Sequence, residues 1–220
     1  LESRQTPYPI DALLPELCNQ FQPGRTLLLQ APPGAGKTTR VPLALIGALA
    51  GQRCREGRIW MIEPRRLAAR AAASRLAASL QEPLGERIGF AVRGEQRRSA
   101  RTQVEVITDG LFLRRLQSDP SLEGVSCVLF DEFHARRRDA DLALTLLREA
   151  APLLRPDLSL MLMSATLDIA DLQARLPEAT VMTSEGRAHT VETLYQPPRT
   201  EEPLAQQVLR AVETHALDLP

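Results

Sequence analysis

Residues 26–38 read Thr-Leu-Leu-Leu-Gln-Ala-Pro-Pro-Gly-Ala-Gly-Lys-Thr, and no other stretch of this chain restricts its fold so tightly. The apolar run Thr26–Ala31 predicts a buried strand. The segment Lys37–Leu49 predicts a helix, with Pro42 tolerated in its first turns. Between them, Gly34 and Gly36 let the backbone curl so that its N–H groups face inward at the helix N-terminus, a geometry that cradles phosphate. In such a cradle Lys37 can bridge β- and γ-phosphates, and the Thr38 hydroxyl can ligate Mg²⁺. Pro33, Gly34, Ala35, Gly36 and Thr39 complete the loop and first helical turn as candidate nucleotide-binding positions. The strict motif opens with Gly where this chain has Ala31; its Gly-x-Gly-Lys-Thr core is intact.

Composition sharpens this at one residue. Of the 27 basic residues 26 are Arg, and the single lysine is Lys37. A chain that carries Arg wherever any positive charge serves keeps Lys where a compact ammonium is needed and a guanidinium would not fit.

The remaining pattern alternates. Strands are predicted over Arg58–Glu63, Arg87–Val92, Gln103–Thr108, Val125–Asp131, Leu158–Ser164 and Ala179–Thr183. Helices are predicted over Arg66–Leu80, Asp109–Gln117, Ala140–Ala151 and Asp168–Leu176. Continuous apolar strands alternating with helices predict an α/β fold with a parallel sheet covered on both faces. After Ser184 the pattern loosens into a strand over Val191–Tyr195, a proline-rich linker over Gln196–Pro203 and an amphipathic helix over Pro203–Ala216. The expected division is a lead-in (1–24), a core domain (25–184) and a C-terminal extension (185–220).

Val128-Leu-Phe-Asp131-Glu132 is an apolar strand ending in two carboxylates. In a parallel sheet the carboxyl ends of strands line the ligand crevice. Asp131 suits the anchoring of Mg²⁺, and Glu132 suits the orientation or deprotonation of an attacking water. His134 follows two residues later; His189 and His215 read as structural or surface residues.

The net charge of zero hides an uneven distribution. Gln52–Arg101 holds 12 Arg against 5 Glu, a net of +7, whereas Pro156–Pro220 holds 4 Arg against 10 acids, a net of −6. The first stretch can meet a phosphate backbone or form solvated helix faces; the second is poorly suited to a polyanion. With 44% hydrophobic residues, the body of the chain is not of disordered composition. No run of about 18 apolar residues predicts a membrane span, and Leu1–Pro9 has no apolar signal core. Cys18, Cys54 and Cys127 form neither a disulfide framework nor a zinc pattern. A reducing cytoplasm is the expected compartment.

Ala31-Pro-Pro-Gly-Ala-Gly-Lys-Thr38 with Asp131-Glu-Phe-His134 resembles motifs I and II of the DEAH/RHA group of superfamily-2 helicases. Pro64-Arg65-Arg66-Leu-Ala-Ala-Arg70 resembles motif Ia, Thr108-Asp109-Gly110 motif Ib and Ser164-Ala165-Thr166 motif III. Gly186-Arg187 before Val191-Glu-Thr-Leu-Tyr195 resembles the strand that leaves the first motor domain. Phe133 in place of Ala is closest to the bacterial HrpB-type members. The resemblance implies a RecA-like domain that binds ATP and Mg²⁺. Lys37 and Thr38 would hold phosphates and metal, and Asp131 and Glu132 would be metal anchor and catalytic base. His134, Ser164, Ala165 and Thr166 would couple the nucleotide site to nucleic acid. Arg75 would stack on the nucleobase. Arg65, Arg66, Arg93, Thr108, Asp109 and Gly110 would contact a single strand, RNA by family. The family pattern His-Glu-Arg reads His134-Ala135-Arg136 here, so that carboxylate is missing.

Such motors need a second RecA-like domain that supplies arginine fingers through a late Gln-Arg-x-Gly-Arg signature, which this sequence lacks. The expectation is therefore motor domain one of a longer, monomeric protein, nearly inactive alone. The alternatives are the same machine acting on DNA, or a phosphate-loop ATPase that remodels a protein; a degenerate scaffold is opposed by intact Lys37, Thr38, Asp131 and Glu132. Few aromatics are available besides Trp60 and Phe90, so strand recognition should be backbone-directed.

Overall fold

The computed structural model describes residues 7–51, 57–165, 169–185, 193–195, 197 and 203–215. The chain divides into two compact units, Leu1–Arg187 and Ala188–Pro220. The larger unit is built on one eight-stranded sheet. Its strands are β1 (Thr26–Gln30), β2 (Arg58–Glu63), β3 (Ile88–Val92), β4 (Glu95–Arg97), β5 (Val104–Thr108), β6 (Val125–Phe130), β7 (Ser159–Ser164) and β8 (Thr180–Thr183). Their order is β4-β3-β5-β2-β6-β7-β1-β8. All pairings are parallel except the β3–β4 hairpin.

Strand periodicity distributes the core between the two faces of this sheet, because successive side chains point to opposite sides. Leu27, Leu29, Met61, Val106, Leu129, Met161 and Met163 belong to one buried cluster, which is covered by α2 (Lys37–Gly51) and α3 (Arg66–Ser79). Leu28, Trp60, Ile62, Ile107, Val128, Phe130 and Leu162 belong to the other. That face is covered by α4 (Asp109–Ser118), α5 (Arg138–Leu154) and α6 (Ile169–Arg175). The sequence-level bounds of these elements agree with the structure to within three residues at each end.

Three features depart from the sequence reading or add to it. The lead-in carries a 3₁₀ turn, Pro9–Ala12, and a helix, α1 (Leu14–Gln20), whose Ile10, Leu17 and the following Phe21 are buried in the first cluster. The strand β4 was not foreseen: all three of its residues are exposed and none is apolar. It forms because Gly94, at φ +82°, turns the chain so that Val92 pairs with Glu95. The strand expected over 191–195 is not formed in its described part, since Thr193–Tyr195 lie outside any strand and a ladder needs a pairing partner; Val191 and Glu192 lie outside the described residues. In the smaller unit, α7 (Leu204–His215) presents Leu204, Val208, Leu209 and Val212 as exposed residues.

Candidate functional site

Strand order fixes which motifs become neighbours. At the carboxyl edge, Gln30 of β1 is level with Ser164 of β7, and Leu162 of β7 is level with Phe130 of β6. Next come β2, which ends at Glu63, and β5, which ends at Thr108. The phosphate loop, the Ser164 segment and the Asp131–Glu132 pair are thus adjacent, with the arginine-rich segments beyond them.

The loop after β1 takes the shape its glycines allow. Gly34 and Gly36 have φ of +76° and +98°, values that side-chain-bearing residues resist. A Cβ on Gly36 would also lie 2.9 Å from Tyr8 Cβ and Cγ. The lead-in therefore braces the loop. The Ile10 N–H donates to Ala35 O at 3.1 Å, and Asp11 pairs with Arg40 on α2 at 2.6 Å. Sequence reasoning missed this brace, because nothing in residues 8–11 signals a contact with residues 35–40.

Lys37 is buried, and its Nζ donates to Ala31 O at 2.5 Å and Pro32 O at 3.1 Å. Burial holds its ammonium below the usual lysine range, with Asp131 and Glu132 working against that shift. Thr38 Oγ1 donates to Asp131 Oδ2 at 2.5 Å. Thr39 spends its hydroxyl on Gly36 O at 3.3 Å, Ala35 is buried and Pro33 is exposed at the loop's crest.

Asp131 is 5% exposed. Burial pushes its carboxyl upward, while the Thr38 hydroxyl, the Glu132 N–H and Lys37 oppose that. A third carboxylate, Glu63, stands beside it, buried at the end of β2. Burial first, then the Asp131 charge, pushes Glu63 up to about 9, so it holds a proton at neutral pH. Its signal was legible: Glu63 ends a strand before Pro64, the position that singled out Asp131.

Glu132 adopts a left-handed conformation at φ +50°, unusual for a residue with a side chain. Such outliers concentrate where a site demands a particular orientation. Phe133 anchors the turn in the core through edge-to-face contact with Phe130, at 5.8 Å between centroids. His134 links two motifs: its Nε2 lies 3.2 Å from Glu132 Oε2, and its Nδ1 accepts the Ala165 N–H at 3.5 Å. An accepting Nδ1 places the proton of a neutral ring on Nε2, facing Glu132. Ser164 completes the linkage by accepting the Ala31 N–H on its carbonyl at 3.0 Å. Its own hydroxyl is buried with no hydrogen-bond partner among the described residues. Thr166 lies outside the described residues, as do Gly186 and Arg187.

The arginine-rich side forms a groove. A cavity of ≈ 340 Å³ is lined by Arg66, Arg93, Thr108, Asp109 and Gly110, five of the six residues expected to meet a strand. Arg65 is exposed at the N-terminus of α3 but does not line it. Arg66 Nη2 is held by Arg93 O at 2.9 Å. Two liners that the sequence did not reveal, Arg114 and Arg137, add positive charge. Asp109 is nearly buried, and its carboxylate accepts from Arg137 Nε and from its own helix's Gly110 N–H. A carboxylate repels a phosphate, so Asp109 here serves to hold Arg137.

Several arginines of the +7 stretch are satisfied internally: Arg70 by Glu95, Arg87 by Glu82, Arg98 by the fully buried Glu105, and Arg101 by Glu86. Arg75 is exposed on α3, and its backbone carbonyl accepts from Ser79. No contact ties it to the loop among the described residues.

The chemistry of these donors would suit a magnesium nucleotide. Mg²⁺ is held by one or two carboxylates together with phosphate oxygens and waters rather than by an all-protein cage. Thr38 and Asp131, whose oxygens lie side by side, could supply the protein's share of such donors.

Comparison with known proteins is consistent with this geometry. Residues 14–174 match the family model described as DEAD/DEAH box helicase. The chain is 48% identical over 189 residues to the ATP-dependent RNA helicase HrpB of Escherichia coli strain K12, which covers 86% of this chain and 23% of that protein. It is 35% identical to the ATP-dependent RNA helicase HrpA homolog of Haemophilus influenzae, over 82% of this chain and 14% of that one. Among solved structures, the E. coli DEAH/RHA helicase HrpB superposes with a TM-score of 0.88 at 42% identity, over 97% of this chain and 27% of that one. A structure of the E. coli DExH-box NTPase HrpB gives 0.81 at 41% identity, over 99% and 26% respectively. The chain thus spans about a quarter of these HrpB proteins or less.

Proposed function

The chain belongs to the DEAD/DEAH box helicase family, and from that premise we propose that it is the first motor domain of an ATP-dependent RNA helicase. The observation that carries this reading is the meeting of Thr38, Asp131, Glu132 and His134 with the phosphate loop at one edge of the sheet, beside a groove lined by arginines.

In this reading the loop N–H groups and the N-terminus of α2 receive the β-phosphate. Lys37 Nζ exchanges its two loop carbonyls for phosphate oxygens. Thr38 and Asp131 would hold Mg²⁺, which when bound neutralises charge on the phosphates. Glu132, oriented by His134, accepts a proton from the water that attacks the γ-phosphorus; ADP leaves as the bond to its β-phosphate oxygen breaks. Protonated Glu63 adds no further negative charge beside Asp131. The groove takes the sugar–phosphate backbone through Arg66 and Arg93, so affinity should fall with salt. RNA is the proposed strand because the relatives carry the name RNA helicase. A second RecA-like domain closes the site, the working unit is a monomer, and the cytoplasm is the compartment.

Steady-state ATP hydrolysis by the full-length protein, with and without single-stranded RNA or DNA, tests the proposal. Stimulation by RNA supports it. Stimulation by DNA alone reassigns the strand, and a rate indifferent to both refutes the nucleic-acid reading. This chain alone should hydrolyse ATP about 10³–10⁵-fold more slowly, the usual worth of an arginine finger.

A further inference from the structure

The ion pair between Asp109 and Arg137 stands where two cavities meet. One is the arginine groove of ≈ 340 Å³. The other is a space of ≈ 10 Å³ beneath Asp131, Glu132 and Phe133, room for about one water. Pro64, Asp109 and Arg137 line both. Asp109's side chain is 6% exposed and Arg137's is 45% exposed, so the carboxylate is the fixed partner and the guanidinium the reachable one. Only Arg137 Nε is bonded to Asp109, and its Nη1 and Nη2 have no bonding partner among the described residues.

Arg137 is also rigidly connected to the catalytic pair. It lies five positions after Glu132 in the sequence. The turn between them is pinned by the Ala135 N–H on Glu132 O at 2.9 Å and the Arg136 N–H on Phe133 O at 3.1 Å. Arg136, left-handed at φ +43°, reaches Asp141 and Asp171. Arg137 then stands at the N-cap position of α5, where its carbonyl accepts the Asp141 N–H at 2.9 Å. A force on the Arg137 side chain therefore acts on a short, hydrogen-bonded turn that begins at Glu132.

We propose that Arg137 is the strand-sensing residue of this motor: its Nη edge takes a backbone phosphate in the groove while its Nε stays on Asp109, and the turn thus fixed sets Glu132 and His134 for hydrolysis. This rests on the nucleic-acid reading of the groove. A guanidinium suits the task because its rigid fork can serve two anions at once, which a single ammonium does poorly. Arg137 is a positioning residue for the ATP site, since it touches the strand and not the nucleotide.

The test is ATP hydrolysis against RNA concentration in the full-length protein, for wild type, Arg137→Gln, Arg137→Lys and Arg138→Gln. Arg138 is 94% exposed, so its variant removes the same charge one residue away. Arg137→Gln should lower the RNA-saturated rate about tenfold, within the usual range of coupling between sites. Its RNA affinity should depend on salt with a log–log slope shallower by about one, the signature of one lost phosphate contact. Arg137→Lys should keep most of the affinity and lose the stimulation, which guards against a fault of folding. Arg138→Gln should behave as wild type. Adding Asp109→Asn to Arg137→Gln should lower the saturated rate no further, because the pair acts as one unit. A wild-type saturated rate in Arg137→Gln or Arg137→Lys, with affinity alone reduced, overturns the proposal. A wild type that RNA does not stimulate refutes the underlying reading and this proposal with it.

Discussion

Thr38 Oγ1 donates to Asp131 Oδ2 at 2.5 Å, although 93 residues separate them in the sequence. The bond joins the first turn of α2 to the end of β6, across the intervening β7. It holds together the two oxygens that the proposed magnesium site would use. Removing the hydroxyl by Thr38→Val should weaken Mg·ADP binding by about 1.5–3 kcal/mol, the range for hydrogen bonds to charged groups. Binding measured without Mg²⁺ should change far less, and Thr38→Ser should restore the difference. Equal losses with and without Mg²⁺ would show that Thr38 serves the loop's shape instead.

Glu63 should make the stability of the fold depend on pH. Its carboxyl is pushed up to about 9 in the folded chain, against 4.5 when unfolded. Between those values the native state holds a proton that the unfolded state has lost. Stability contributed by this group is therefore full below about 4.5 and declines as pH rises through about 9. Glu63→Gln keeps the neutral, hydrogen-bonding form at every pH. In metal-free buffer its Tm should exceed that of wild type at pH 8 and approach it at pH 5. A constant gap across that range would mean that Glu63 is ionised in the native state.

Gly36 faces two constraints at once, a φ of +98° and the Tyr8 carbons 2.9 Å from any added Cβ. Gly36→Ala should cost about 1–3 kcal/mol of stability through backbone strain alone and should impair ADP binding as the loop shifts. Tyr8→Gly in the same chain removes both the Cβ and the ring carbons that the added Cβ would meet, but leaves the dihedral as it is. The double variant should therefore recover only part of the loss in thermal melts; full recovery would show that the steric contact dominates.

Phe133 occupies the position where the wider helicase group has Ala, and the structure explains how it fits. It is 4% exposed and stands at the end of an aromatic series, Trp60–Phe112–Phe130–Phe133, with centroids 5.6–6.1 Å apart. Phe133→Ala should destabilise the chain by about 3–5 kcal/mol, as other buried Phe→Ala changes do. Phe133→Leu should cost less. Chemical denaturation measures both, and a change under 1 kcal/mol for Ala would show that the turn collapses to fill the space.

What the sequence reveals follows from which forces are local. β1 through α2, and the strands β6 and β7, are legible because their apolar runs are nearly unbroken, and β1 leads into a glycine-rich loop while β6 ends on two carboxylates. β4 is not legible: Glu95, Gln96 and Arg97 pair with β3 through backbone alone, and exposed polar side chains carry no period. The Tyr8–Gly36 and Asp109–Arg137 contacts were equally hidden, since each joins segments 28 residues apart and depends on the sheet order. Charge counting overstated the basic surface, because Arg70, Arg87, Arg98 and Arg101 are paired within the fold. Arg137 lies outside the counted stretch yet completes the groove.

If the loop around Lys37 is a working phosphate site, calorimetric titration with Mg·ADP will show it. Wild type should bind, and Lys37→Ala, folded by its melting curve, should not. Equal affinity in the two proteins, or none in either, would mean that this loop is not a phosphate site.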